Sequence, residues 1–306
     1  MSTIRIINFM RWNKLANIIS LLMVVGSLIS LGTKGLVMGL DFTGGAQVEV
    51  GYQQNAEPEV IRRQLIDAGL ENPVVVNFGS ARDVLIKFQV ESAEGLEDLV
   101  VSTLTPNGEQ IEVRRVEFIG PQVGEELRDE GGLAVLVAMI AIMIYVAVRF
   151  QYKFAVGVLV GLVHDTIITL GVFSLFQLDF DLTVFAGLMA MIGYSLNDTI
   201  VVYDRIRENF RLVRDASPTD IINESLTQIL VRTIYTSVST LLVLFALLFL
   251  GGELIRNFSI ALIVGIIVGT LSSIYVAANI ILVMKVSRED LMTSVKDDKQ
   301  DEYELP

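Results

Sequence analysis

The chain has 306 residues, 52% hydrophobic and 19% charged, with mean hydropathy +0.59 and formal net charge −12. So apolar a composition excludes a disordered chain, and the acidic balance excludes a nucleic-acid binder that neutralises phosphates. One soluble domain cannot hide this much apolar surface, which leaves an integral membrane protein with a charged part elsewhere.

Residues 1–14 form a short basic lead with Arg5, Arg11 and Lys14. Residues 15–33 carry no charge and reach the ~20-residue length of a membrane span. Ser30-Leu31-Gly32 also suits a cleavage site, but the apolar stretch is longer than a signal-peptide core, so the segment is read as the first span. Asp41-Phe42-Thr43-Gly44-Gly45 follows. Its paired glycines permit backbone angles closed to other residues and suit a sharp bend into the next element. A phosphate cradle is excluded, because neither a helix nor a Lys-Ser/Thr pair follows Gly45.

Residues 34–130 contain 18 acidic and 8 basic residues, so most of the acidity lies in this one stretch. Periodicity predicts strands at Ala46–Tyr52, Val74–Phe78, Val84–Val90 and Ile111–Ile119. It predicts helices at Glu57–Gly69, with Val60, Ile61, Leu65 and Ile66 inward, and at Glu94–Leu104, with Leu96, Leu99, Val100 and Leu104 inward. Pro106-Asn107-Gly108 reads as a turn. The order β-α-β-β-α-β is the ferredoxin-like pattern, which argues a compact α+β module and no particular activity.

Five more spans follow, at about 131–150, 154–176, 182–203, 233–252 and 257–284. The fold class is thus a six-span helical membrane protein with one α+β domain between the first two spans. Lys and Arg cluster in 1–14, around Arg149 and Lys153, across the loop 204–232 and after residue 284. The positive-inside rule then places both termini in the cytoplasm and 34–130 outside. Within the loop, Ser217-Pro218-Thr219-Asp220 reads as an N-cap, a proline at N1 and a carboxylate at N3 of a helix. The acidic tail 285–306 reads as cytoplasmic and disordered.

Ionisable residues inside spans are costly and usually mark ion or proton paths. His164, the only histidine, and Asp165 lie mid-way along the third span. Gly157, Gly161 and Thr169 share a ridge with Asp165, so a packing hydrogen bond and a transport role both remain open. Asp198 lies near the inner end of the fourth span, beside Asn197. An apolar surround favours a neutral carboxyl and a nearby cation a charged one; a group between the two can load and release a proton. Arg232, opening the fifth span at similar depth, is a candidate partner or a snorkelling anchor. Gly265, Gly269, Ser273 and Ala277 of the sixth span read as helix packing alone. No cofactor or metal is expected: cysteine is absent, and no HExxH, GxSxG or Walker A pattern occurs.

Four elements together resemble the SecF family of the bacterial SecDF protein-export complex, over about residues 4–284. They are Asp41-Phe42-Thr43-Gly44-Gly45, Val123-Gly124-Glu125-Glu126-Leu127, Val163-His164-Asp165 and the long run from Gly193 to Asn209. The resemblance implies a non-enzymatic, multi-pass subunit of the plasma membrane that pairs with SecD. It implies coupling of the proton motive force to a late, ATP-independent step of export, with the Sec channel and an unfolded exported chain as partners. It implies that Asp198 and Arg232 carry the proton coupling, with Asn197, Asp165 and His164 beside them. The architecture alone also suits half of a resistance-nodulation-division exporter of small molecules or lipids, or a passive scaffold.

Overall fold

A computed structural model of the chain describes residues 6–70, 73–90, 92–105, 110–213 and 215–286. The turn expected at Pro106–Gly108 and the tail from residue 287 lie outside the described residues. Among the described residues, six helical segments are long and apolar enough to cross a membrane. They are α1 (Asn13–Thr33), α5 (Pro121–Arg149), α6 (Tyr152–Phe176), α7 (Leu182–Leu212), α8 (Pro218–Leu250) and α9 (Glu253–Ser272). The last continues through a π-helical turn, Ser273–Ala277, into α10 (Ala278–Val283).

Three helices overrun the expected spans. α5 starts at Pro121, ten residues early, because proline suits N1 and no breaker stops the helix before the apolar run. α7 runs on to Leu212, a continuation that the helical spacing of Ile206, Phe210 and Val213 in residues 204–214 predicts. α8 joins the cytoplasmic helix and the fifth span in one rod, since no glycine or proline interrupts 219–250. Its start matches the sequence pattern: the Ser217 hydroxyl accepts from the Asp220 amide at 3.2 Å.

Between α1 and α5 lie β1 (Val37–Met38), α2 (Leu40–Thr43), β2 (Gly45–Tyr52), α3 (Pro58–Asp67), β3 (Val74–Phe78), β4 (Ser80–Phe88), α4 (Leu96–Leu104) and β5 (Ile111–Ile119). The four longer strands form an antiparallel sheet in the order β3-β4-β2-β5. Alternation puts Ala46, Val48, Val50, Val84, Ile86 and Phe88 on one face, where Ile61, Leu65, Leu96, Val100 and Leu104 cover them. Val60, Ile66 and Leu99 are exposed instead of inward. A helix laid on one sheet buries a single i, i+4 stripe, and these three sit beside it.

β1 pairs in parallel with β6 (Asp179–Phe180), in what the sequence presents as a bare turn between the third and fourth spans. In the helical part, α6, α7 and α9 are central, and α1, α5 and α8 keep most of their apolar side chains exposed. Close packing depends on missing Cβ atoms: one added at Gly157 would strike the Tyr203 hydroxyl, at Gly171 Ser27, and at Gly265 Met191. Gly161, expected to admit a neighbouring helix, has nothing within 4 Å of its would-be Cβ.

Candidate functional site

The central helices bring two buried carboxylates to one level. Asp165 of α6 is fully buried. Its Oδ1 meets His164 Nδ1 at 2.8 Å, and its Oδ2 accepts from Ser195 Oγ of α7 at 2.6 Å and from Ser272 Oγ of α9 at 2.9 Å. His164 Nε2 lies 2.5 Å from Ser20 Oγ of α1. A carboxylate in its ionised form can only accept; in that form Nδ1 carries the imidazole hydrogen and Nε2 accepts from Ser20. Ser20, His164 and Asp165 follow the order of a hydrolytic relay. However, the backbone amides around Ser20 are committed to mid-helix bonds, so they are not free to act as oxyanion donors.

Asp198 of α7 is 7% exposed and accepts from Ser273 Oγ at 2.7 Å. Thr233 of α8 is buried facing the same carboxyl without completing a hydrogen bond. Asp165 is near enough for the two charges to interact. Ser272 and Ser273 are neighbours in sequence, yet each serves a different aspartate. The helix changes to π geometry at this point, and such turns recur at functional sites because they re-aim side chains.

Each of the two hydroxyls also has a backbone acceptor. Ser272 Oγ lies 3.1 Å from Gly269 O, and Ser273 Oγ 3.0 Å from Thr270 O. A hydroxyl has one hydrogen and two lone pairs. With Asp198 ionised, Ser273 donates to it. With Asp198 protonated, Ser273 can turn its hydrogen to Thr270 O and accept from the acid. Both protonation states are then satisfied without moving the backbone.

The structure therefore unites Asp165, His164 and Asp198, and leaves two other candidates outside. Asn197 is exposed, about 100° around the helix from Asp198. Arg232 is also exposed, and no ion pair joins it to Asp198 among the described residues. Its side chain lines a cleft of about 560 Å³ between the end of α5, the last third of α7 and the first half of α8, with Arg149, Asp204, Arg205 and Gln228. Ile200 and Val201 form the inner wall, about 4.5 Å along the helix from Asp198.

Sequence reasoning missed Ser20, Ser195, Ser272 and Ser273. The ridge Gly265, Gly269, Ser273 and Ala277 is more than packing. A Cβ at Gly269 would lie 3.2 Å from Ser195 and 3.4 Å from Asp165 Oδ2, Ser273 holds Asp198, and the Ala277 carbonyl accepts from the Tyr203 hydroxyl at 2.9 Å. Serines on a ridge of small residues were the available signal.

Asp41, Phe42, Gly44 and Gly45 lie at the far end of α7. Asp41 Oδ2 accepts from the Leu182 amide at 2.8 Å, and Phe42 stacks on Phe180 with ring centroids 6.0 Å apart. Gly44 and Gly45, at φ +75° and +138°, turn the chain into β2 as the sequence suggests, after a one-turn helix that it does not announce.

Residues 100–287 match the family model "Protein export membrane protein SecD/SecF, C-terminal", and residues 29–56 match "SecD/SecF GG Motif". The chain is 49% identical to the protein translocase subunit SecF of Vibrio alginolyticus over 290 residues, covering 94% of this chain and 92% of that protein. It is 49% identical to the SecF subunit of Pseudomonas aeruginosa over 297 residues, covering 97% of each. A crystal structure of SecDF, a translocon-associated membrane protein from Thermus thermophilus, superposes with a TM-score of 0.82 at 38% identity. That match covers 93% of this chain and 40% of the solved one. The six apolar helices, the glycine pair and relatives matched over nearly their whole length place this chain in the SecF family of protein translocase subunits.

Proposed function

We propose that this chain is a non-enzymatic subunit of a Sec export complex in the bacterial inner membrane, pairing with a SecD partner. It couples the proton motive force to a late, ATP-independent stage of translocation, beside the Sec channel and an emerging unfolded polypeptide. Both termini are cytoplasmic, and residues 34–130 form an extracytoplasmic module of ferredoxin-like type. The basic segments at the inner span ends support that orientation. The order β3-β4-β2-β5 with two helices on one face supports the module type.

The observation that carries the proton reading is the pair Asp165 and Asp198, buried in the spans and held by consecutive serines of the π-turn. A buried carboxylate whose partner can reverse its hydrogen bond is a proton site at low reorganisation cost. The cleft below Val201 gives water a route towards Asp198, and Arg232 stands in that cleft. In the working cycle Asp198 alternates between Ser273 and Arg232, shifting α7 against α8 and α9. The driving energy is about 2.3 kcal/mol per charge per 100 mV.

Vesicles containing the full complex with Asp198→Asn test this. Proton flux and proton-stimulated export should fall at least tenfold, an order typical for losing a proton-transfer group, while assembly persists. Unchanged export at normal proton motive force would leave the passive-scaffold reading instead.

A further inference from the structure

The element Leu40–Gly45 is wedged between two other parts of the protein. On one side is the start of α5. A Cβ on Gly44 would lie 2.7 Å from Pro121 Cα, and one on Gly124 would lie 2.9 Å from Gly44 N and 3.0 Å from the Phe42 carbonyl carbon. Backbone thus lies on backbone. On the other side is the turn between α6 and α7. The Gly39 amide donates to Phe180 O at 2.9 Å, β1 pairs with β6, and Phe42 stacks on Phe180, which meets Phe173 edge-on. Asn257 Nδ2, near the start of α9, donates to Asp179 O at 3.1 Å and braces the same turn.

Two facts give this wedge a mechanical meaning. The sheet domain is rooted in it at both ends: β2 begins at Gly45, β5 ends at Ile119, and the two residues are register partners. Asp41 also reaches the first amide of α7, beside Asp181, which caps the same helix through the Val184 amide at 2.8 Å. An acidic side chain at a helix N-terminus satisfies a free amide and complements the dipole. Two carboxylates therefore hold this end, one of them from the root of the sheet domain. Asp198 lies on the same helix, about 24 Å away at 1.5 Å per residue.

We infer that Asp41 is a positioning residue that clasps the root of the sheet domain to α7, so that the domain and the helix bearing Asp198 move as one body. Its use in export rests on the proton-coupling reading above. Displacement of α7 at Asp198 then reaches the sheet domain through bonded contacts as well as through the chain connections to α1 and α5. Asn at position 41 keeps a side-chain oxygen for the Leu182 amide, and Ala does not.

The chain has no cysteine, so a pair at Val37→Cys and Asp179→Cys, register partners in β1 and β6, reports the clasp directly. In vesicles with the full complex, a short thiol-bridging reagent should link the pair in high yield, and export should survive the link. Asp41→Ala should lower the bridging yield about fivefold, the order expected for one lost cap. It should lower export per proton to a similar degree, with proton flux persisting; Asp41→Asn should preserve both. Loss of export on bridging, wild-type export per proton in Asp41→Ala, or equal defects in Ala and Asn would each overturn the clasp. If Asp198→Asn changes neither flux nor export, the proton reading fails, and the bridging yields still decide the clasp.

Discussion

At the residue scale, the buried site works by matching donors to acceptors. Asp165 has both oxygens occupied from three helices, which suits a fixed charge or a fixed acid. Asp198 has one serine and an uncommitted threonine, which suits a group that changes state. Asp179, in the turn under the sheet domain, shows a different electrostatic case. Burial pushes its carboxyl above the ordinary carboxylate value; Lys87 opposes this and Asp181 adds to it. The fold therefore disfavours the ionised form at neutral pH. That penalty shrinks as pH falls through the raised native value towards the unfolded one, so this group adds stability on acidification. Asp179→Asn keeps the backbone carbonyl that Asn257 uses. Its unfolding midpoint in detergent should exceed wild type at neutral pH, with the difference vanishing in acid. A lower midpoint at neutral pH would contradict this account.

At the scale of elements, the sequence discloses pattern better than partnership. The strands and the two helices of the outside domain follow from period-2 and period-3.6 spacing, because one-sided burial writes itself into the order of residues. The spans follow from uninterrupted apolar runs. The extension of α7 follows from helical spacing past residue 203, whereas the early start of α5 and the joining of two helices in α8 do not, since helix continuity past a membrane boundary depends on capping and not on hydropathy. β1 and β6 are two residues each and leave no periodicity to detect. Asp165 and Asp198 were legible from their cost in a membrane, whereas their serine partners were not, because serine on a helix also serves as a small packing residue. Glycine is informative where geometry demands it. Gly44 pairs φ +75° with ψ 165°, a combination nearly closed to other residues, and abuts backbone. Gly44→Ala should cost about 1–3 kcal/mol from the backbone alone, seen as a lower thermal midpoint. Gly132→Ala, inside α5 with nothing within 4 Å of the new Cβ, should leave the midpoint unchanged or slightly raised and serves as the control.

At the scale of the molecule, the sorted charge of the sequence becomes a division of labour. Of the three inner helices, α6 and α7 hold the buried titratable groups and α9 with its π-turn supplies their serine partners. The three outer helices keep apolar side chains exposed, and the acidic sheet domain stands on a single root. That root joins residues far apart in the chain: Asp41 and Leu182 are 141 positions apart. Contacts of such separation close late in folding, after local ones. The sheet core needs only residues between Gly45 and Ile119 and can form before the later helices are made. The root must wait until α6 and α7 have been synthesised and inserted. A chain halted before residue 179 should therefore carry a folded sheet domain whose root rests on α5 alone, without the β1–β6 pairing and the Asp41–Leu182 bond. Protease given access to the sheet domain should cut such a chain between Val37 and Gly45 more readily than the full-length protein. Equal resistance in both would refute this order of events. The β1–β6 bridge thus makes completion of the third and fourth spans a checkpoint in assembly, and the outer domain becomes firmly seated only after the helix it serves is in place.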